Sequence, residues 1–165
     1  MTCSIMLRTL SRSFALMLGL ATAGAASAQE TSVSLGEGFD REAPVEITAD
    51  SLSLDRDSGT AQFAGGVMIV QGGMELKADK VIVTYADEGS DIESMVATGG
   101  VTFISGEDLA ESQQAIYKPD SGTLQMRGDV ILTQGNNAIA SETLDIELET
   151  GNGVLTGRVR VVVKQ

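Results

Sequence analysis

Met95-Val96-Ala97-Thr98-Gly99-Gly100-Val101-Thr102-Phe103 sets Met95, Ala97, Val101 and Phe103 on one parity, and Thr98 and Thr102 on the other. An apolar period of two marks a half-buried β-strand. The glycine step in its middle recurs along the chain. Gly65-Gly66-Val67, Gly99-Gly100-Val101, Gly128-Asp129-Val130 and Gly157-Arg158-Val159 follow one another at intervals of 34, 29 and 29 residues. Another glycine stands seven residues after the first three, at Gly72, Gly106 and Gly135, where a hairpin turn would fall. A second marker, Ala followed by a small or acidic residue, is read at Ala49-Asp50, Ala78-Asp79, Ala110-Glu111 and Ala140-Ser141, at intervals of 29, 32 and 30. Two markers at one period predict an elongated all-β domain built from units of roughly 30 residues, each supported by its neighbours.

The same parity carries Ala61, Phe63, Val67 and Ile69 in the first unit, and Leu124, Met126, Val130 and Leu132 in the third. In the fourth it carries Leu155, Val159, Val161 and Val163. The intervening runs add Leu52 and Leu54, Val81, Val83 and Tyr85, Ala115 and Tyr117, and Leu144, Ile146 and Leu148. Apolar parity flips between Ala49 and Leu52 and again between Ala78 and Val81, which predicts a β-bulge and a bent strand at each place. Val67, Val101, Val130 and Val159 then stack as one column, and Ile69, Phe103, Leu132 and Val161 as another. Tyr85 and Tyr117 are expected at strand ends with their hydroxyls in water.

Composition narrows the function. The chain has 165 residues, 11 Lys and Arg against 23 Asp and Glu, a net charge of −12, and neither His nor Trp. A nucleic-acid binder needs a basic face to displace counterions, so that class is set aside. Without histidine there is no imidazole metal site and no Ser/His or Cys/His pair. Asp55-Arg56-Asp57-Ser58-Gly59 resembles the start of a calcium loop, but the twelfth position from Asp55 is Gly66 where a bidentate Glu is needed. No carboxylate pair stands in a local catalytic motif. No enzyme, cofactor or metal site is therefore expected.

Residues 1–28 read as a cleavable export signal. Arg8 and Arg12 precede the apolar stretch Phe14–Ala26, and Ala26-Ser27-Ala28 offers small residues to a signal peptidase. Cleavage there leaves 137 residues at a net charge of −14 and removes Cys3, the one cysteine of the sequence. Location outside the inner membrane, in the periplasm, is expected. Residues 29–43 lack alternation and are expected as a flexible tether, with the domain spanning 44–165. The last strand, about Val154 to Lys164, has no following turn glycine, and Pro44-Val45-Glu46-Ile47 opens the first. Both ends of the array are expected to be open. Open sheet edges pair with other chains by strand addition, and edge charges such as Arg158, Arg160 and Lys164 oppose that.

Pro44-Val45-Glu46-Ile47-Thr48-Ala49-Asp50-Ser51-Leu52, the segment Gly65 to Gly72, and Leu76-Lys77-Ala78-Asp79-Lys80-Val81-Ile82-Val83-Thr84-Tyr85 resemble the OstA-like family of lipopolysaccharide-transport proteins. Thr98 to Phe103 and Gly128 to Gly135 repeat the theme. The resemblance implies a twisted, V-shaped β-jellyroll whose interior accepts the acyl chains of lipopolysaccharide. It implies partners too: head-to-tail copies of itself, an LptC-like jellyroll at the inner membrane and an LptD-like jellyroll at the outer membrane.

On this reading the lipid groove is Leu52, Leu54, Phe63, Val67, Ile69, Val83, Val101, Phe103, Met126, Val130, Leu132, Val159 and Val161. The assembly edges are Val45, Ile47, Val159, Val161 and Val163. Each methylene moved out of water contributes about 0.8 kcal/mol, so a groove without polar anchors can hold a fatty chain and still let it slide. The competing reading is a structural or adhesive β-solenoid polymer with a filled core.

Overall fold

The computed structural model describes residues 31–35, 39–86 and 91–163. Residues 1–28, read above as an export signal, residues 87–90 and Lys164 lie outside the described residues. Every described element is a strand: β1 (Thr31–Ser34), β2 (Glu46–Thr48), β3 (Ser51–Asp55), β4 (Thr60–Gln71), β5 (Met74–Tyr85), β6 (Ile92–Ser105), β7 (Asp108–Lys118), β8 (Thr123–Gln134), β9 (Asn137–Glu147), β10 (Asn152–Thr156) and β11 (Arg160–Val163). They form one antiparallel sheet in the order β1-β10-β9-β8-β7-β6-β5-β4-β2, with β3 also on β4 and β11 also on β9.

The glycine steps bend this sheet. Ala64 pairs with Lys80 and Val67 with Ala78, so Gly65 and Gly66 stand against Asp79 alone. Gly99 and Gly100 stand in the same way against Gln113, and Gly128 and Asp129 against Glu142. Two residues against one is a β-bulge, which turns the strand. At Gly99 the need for glycine is direct: φ is +88°, and a Cβ would lie 2.6 Å from the Cβ of Asp79. The side chains of Asp50, Gln113 and Glu142 crowd Gly65, Gly128 and Gly157 in the same manner.

The bends line up from strand to strand and divide the sheet into two halves. One half-sheet runs from β2 to β11 through residues 67–71, 74–78, 101–105, 108–112, 130–134 and 137–141. The other runs from β3 to β10 through the remaining parts of β4 to β9, with β1 added beyond β10. Buried residues of both halves form one core: Val67, Ile69, Leu76, Val101, Phe103, Val130 and Leu132 from the first, and Ala61, Val81, Val83, Met95, Met126, Leu144 and Leu155 from the second.

Two expectations need correction. The second marker belongs at Ser112-Gln113 and Ser141-Glu142 in the third and fourth units, not at Ala110-Glu111 and Ala140-Ser141. The inward site before each bend must be small, and serine fills it by donating its hydroxyl to the carbonyl two residues on, at 3.0 Å to Gln114 and 3.0 Å to Thr143. Both serines are buried.

The tether expectation fails at residues 31–35. β1 pairs with β10 from Thr31 opposite Leu155 to Ser34 opposite Asn152, and Leu35 is buried in the core. Thr31-Ser32-Val33-Ser34-Leu35 does alternate, but over too few residues to stand out from a polar, small-residue stretch. Among the described residues the C-terminal end is thus only half open, because β10 has a covering strand and β11 has none.

Candidate functional site

The groove residues fall into two groups. Val67, Ile69, Val83, Val101, Phe103, Met126, Val130 and Leu132 are buried throughout the middle of the core. Here the rows from the two halves meet, and the chain by itself is closed. Phe63 and Val159 are partly buried against the same core. Leu52, Leu54 and Val161 are exposed.

Those exposed residues continue the interior rows past their ends. Leu54 lies directly opposite Ala61, which is fully buried, yet Leu54 itself is 66% exposed. Val161 lies opposite buried Ile139 and is 51% exposed, and Val163 is 63% exposed. Residues directly opposite in an antiparallel pair share a face. Among the described residues, the inward row of the β3 half therefore runs out uncovered at β3, and that of the β2 half at β11. Val45 and Ile47, expected at an assembly edge, are partly buried against the core, and Ile47 pairs with Ile69 of β4.

Opposite the bend line, polar contacts hold the two halves together. Tyr117 on β7 donates its hydroxyl to Gln71 Oε1 on β4 at 2.5 Å. Gln71 Nε2 donates to the carbonyls of Arg41 at 2.9 Å and Ala43 at 3.0 Å. Arg41 reaches the other half, with its guanidinium 3.0 Å from Glu149 and bonded to the Asp120 carbonyl. Gln134 Nε2 donates to the Ser34 carbonyl at 2.6 Å. The N-terminal segment thus straps one half-sheet to the other, and Leu35 and Phe39 pack under it.

Tyr117 was expected in water; instead it is buried, and burial pushes its phenol up to about 12. Its partner Gln71 gave no sequence signal, being one more polar residue at a strand end. Asp55 accepts from the backbone N–H groups of Asp57 at 3.0 Å and Ser58 at 3.2 Å, and its pKa is lowered chiefly by the Ser58 bond. This carboxylate shapes a turn. Among the described residues no cluster of acids is placed to hold a metal. Two surface concavities of about 480 and 470 Å³ are lined chiefly by outward residues such as Lys118, Gln125 and Asp145, or Glu142, Arg158 and Arg160.

A bent all-β sheet folded over one apolar core, with exposed apolar residues at both ends of its rows, is the fold expected of an OstA-like domain. Residues 46–162 match the family described as LptA/(LptD N-terminal domain) LPS transport protein, and the chain belongs to that family. It is 29% identical over 151 residues to an uncharacterized protein of Rhizobium meliloti, covering 84% of this chain and 81% of that protein. It is 27% identical over 117 residues to the lipopolysaccharide export system protein LptA of Haemophilus influenzae, covering 71% of this chain and 66% of that protein. It is 34% identical over 76 residues to LptH of Pseudomonas aeruginosa, covering 46% of this chain and 43% of that protein. The crystal structure of LptH, the LptA homologous periplasmic component of the lipopolysaccharide transport device of Pseudomonas aeruginosa, superposes with a TM-score of 0.65 at 18% identity. That superposition covers 77% of this chain and 99% of LptH.

Proposed function

We propose that this chain is a periplasmic, non-enzymatic carrier that shields the acyl chains of lipopolysaccharide in its interior and joins end to end with like jellyrolls to bridge the two membranes. The observation that carries the reading is the run-out of the interior rows. Leu52 and Leu54 at one end and Val161 and Val163 at the other continue the core and are exposed, with none of the described residues covering them. Apolar rows that stop uncovered at both ends of a sheet suit a neighbour with the same interior, so that a fatty chain passes from one to the next without meeting water. Partners of matching form are a second copy, an LptC-like jellyroll and an LptD-like jellyroll.

The closed middle of the interior sets a condition on the mechanism. An acyl chain enters only as the two half-sheets part along the strapped rim, or threads in from an open end. Each methylene taken in contributes about 0.8 kcal/mol, so a full chain offsets several polar contacts across the rim. The head group stays outside. With −14 in the mature chain, phosphates are held off by like charge and remain with solvent and divalent ions.

The test is lipid analysis of the exported protein, with photo-crosslinking side chains placed at Phe63, Val101 and Val130. Labelled lipopolysaccharide at Val101 and Val130 as well as Phe63 supports the carrier. Protein free of lipid and unlabelled at all three sites supports a filled-core polymer instead.

A further inference from the structure

The four residues of β1 occupy the backbone edge that a second copy needs. We infer that β1 is a placeholder strand, and that a second copy displaces it by pairing its own β3 with β10 in a register this chain already fixes. The inference rests on the end-to-end reading above.

The register follows from the bends. At three junctions within the chain, a strand carrying a glycine step is followed by a strand carrying the opposing acid or amide. Ala64 pairs with Lys80 and Val67 with Ala78. Thr98 pairs with Gln114 and Val101 with Ser112. Arg127 pairs with Thr143 and Val130 with Ser141. Each time, the residue before the glycine meets the residue after the acid or amide. Among the described residues no such strand pairs with the last glycine step, Gly157-Arg158. Among the described residues, Ala49-Asp50 of the second copy, between β2 and β3, is the acid-bearing bend without a glycine step paired before it. Antiparallel alternation continues unbroken if the two are joined.

Applying the same offsets pairs Thr156 with Ser51 of the second copy, Val154 with its Ser53, Val161 with its Ile47 and Val162 with its Glu46. Leu155 then faces Leu52, and Gly153 faces Leu54. At Gly153 a Cβ would lie 2.9 Å from Val33 and 2.8 Å from Leu35, so this glycine makes the room those side chains now fill. In the proposed joint Leu54 takes that room, and its exposed face is covered.

Only one of the two half-sheet junctions is blocked. Among the described strands β11 pairs with β9 alone and so presents its other edge to the second copy's β2, whereas β10 is held by β1 from Leu155 to Asn152. Joining therefore proceeds first through β11, and the second junction forms as β1 leaves. The strap across the rim begins in the same segment, at Ser34 and Leu35, so its release loosens one of the contacts between the halves.

The full exported chain, free of cysteine after cleavage, makes the test direct. Val162→Cys with Glu46→Cys reports the β11 junction, and Val154→Cys with Ser53→Cys reports the β10 junction. Directly opposite Cα atoms in antiparallel strands lie within disulfide reach. Both pairs are expected to give disulfide-linked ladders on mild oxidation. A third variant, Ser34→Cys with Asn152→Cys, locks β1 to β10. Oxidised, it is expected to associate about tenfold or more weakly in sedimentation than the same protein reduced. Leu35→Ser, which loosens β1, is expected to associate more tightly than the parent. If the Val162–Glu46 ladder forms but the Val154–Ser53 ladder does not, or if the lock changes nothing, the placeholder is wrong and end-to-end joining stands. If neither ladder forms, end-to-end joining itself is wrong.

Discussion

The Tyr117 hydroxyl donates to Gln71 Oε1 at 2.5 Å, joining the two half-sheets on the side away from the bends. Both residues are buried, and Gln71 spends its two amide hydrogens on the strap. The contact ties the interior, the rim and the N-terminal segment into one unit. It makes the closed state of the core depend on a few polar atoms.

Tyr117→Phe removes the donor and leaves Gln71 Oε1 buried without a partner. The expected cost is about 1–3 kcal/mol of stability, read from urea unfolding at neutral pH. The pH profile carries the sign. Burial raises the phenol from 10.0 to about 12, against a smaller downward pull from Arg41. The unfolded chain therefore loses this proton first. The contribution of the tyrosine is intact below pH 10 and is lost as pH rises toward about 12. Tyr117→Phe is expected to lack that alkaline loss, so the two stability curves converge above pH 10. Parallel curves would show that the phenol titrates as in the unfolded chain.

Gly99→Ala and Gly100→Ala separate backbone strain from crowding. Their φ angles are +88° and +74°, so each substitution incurs about 1–2 kcal/mol for left-handed backbone. A Cβ at Gly100 meets nothing within 4 Å, but one at Gly99 meets Asp79 Cβ at 2.6 Å. Gly99→Ala is expected to destabilise by at least about 1 kcal/mol more than Gly100→Ala. Adding Asp79→Gly to Gly99→Ala should recover part of the difference, since the clash is with that residue's Cβ. A double-mutant cycle on thermal unfolding measures it.

Much of this architecture is legible in the residues, and the limits have physical causes. Alternation about Gly99-Gly100 identifies the strands because burial of one face acts on every second residue. The two parity flips read at Ala49 and Ala78 mark real bends; the corresponding bends at Ser112 and Ser141 carry serine in place of alanine, because a hydroxyl can satisfy itself on the local backbone. β1 escaped because four residues of strand stabilised by a distant partner carry too little local pattern. Tyr117–Gln71 escaped because a pairing of residues 46 apart depends on how two half-sheets face each other, which no local spacing encodes. The inward direction of Leu54 and Val161 could be read from parity, but their exposure could not. Exposure depends on which strand ends the sheet.

Phe103 and Leu54 share the apolar interior face but differ in what covers them, and this divides folding from assembly. Phe103 is fully buried in the middle of the core, so Phe103→Ala is expected to cost about 3–5 kcal/mol through lost contacts and a cavity. Leu54 is 66% exposed at the end of β3. Leu54→Ser is expected to change the stability of the single chain by no more than about 0.5 kcal/mol, as at other exposed sites. Burying a leucine is worth about 1.5–3 kcal/mol, so the same change should weaken end-to-end association by about tenfold or more. Urea unfolding at low concentration reads the first quantity, and sedimentation over a concentration series reads the second. Loss of chain stability in Leu54→Ser with association unchanged would place Leu54 in the fold of the single chain and remove β3 from the joint.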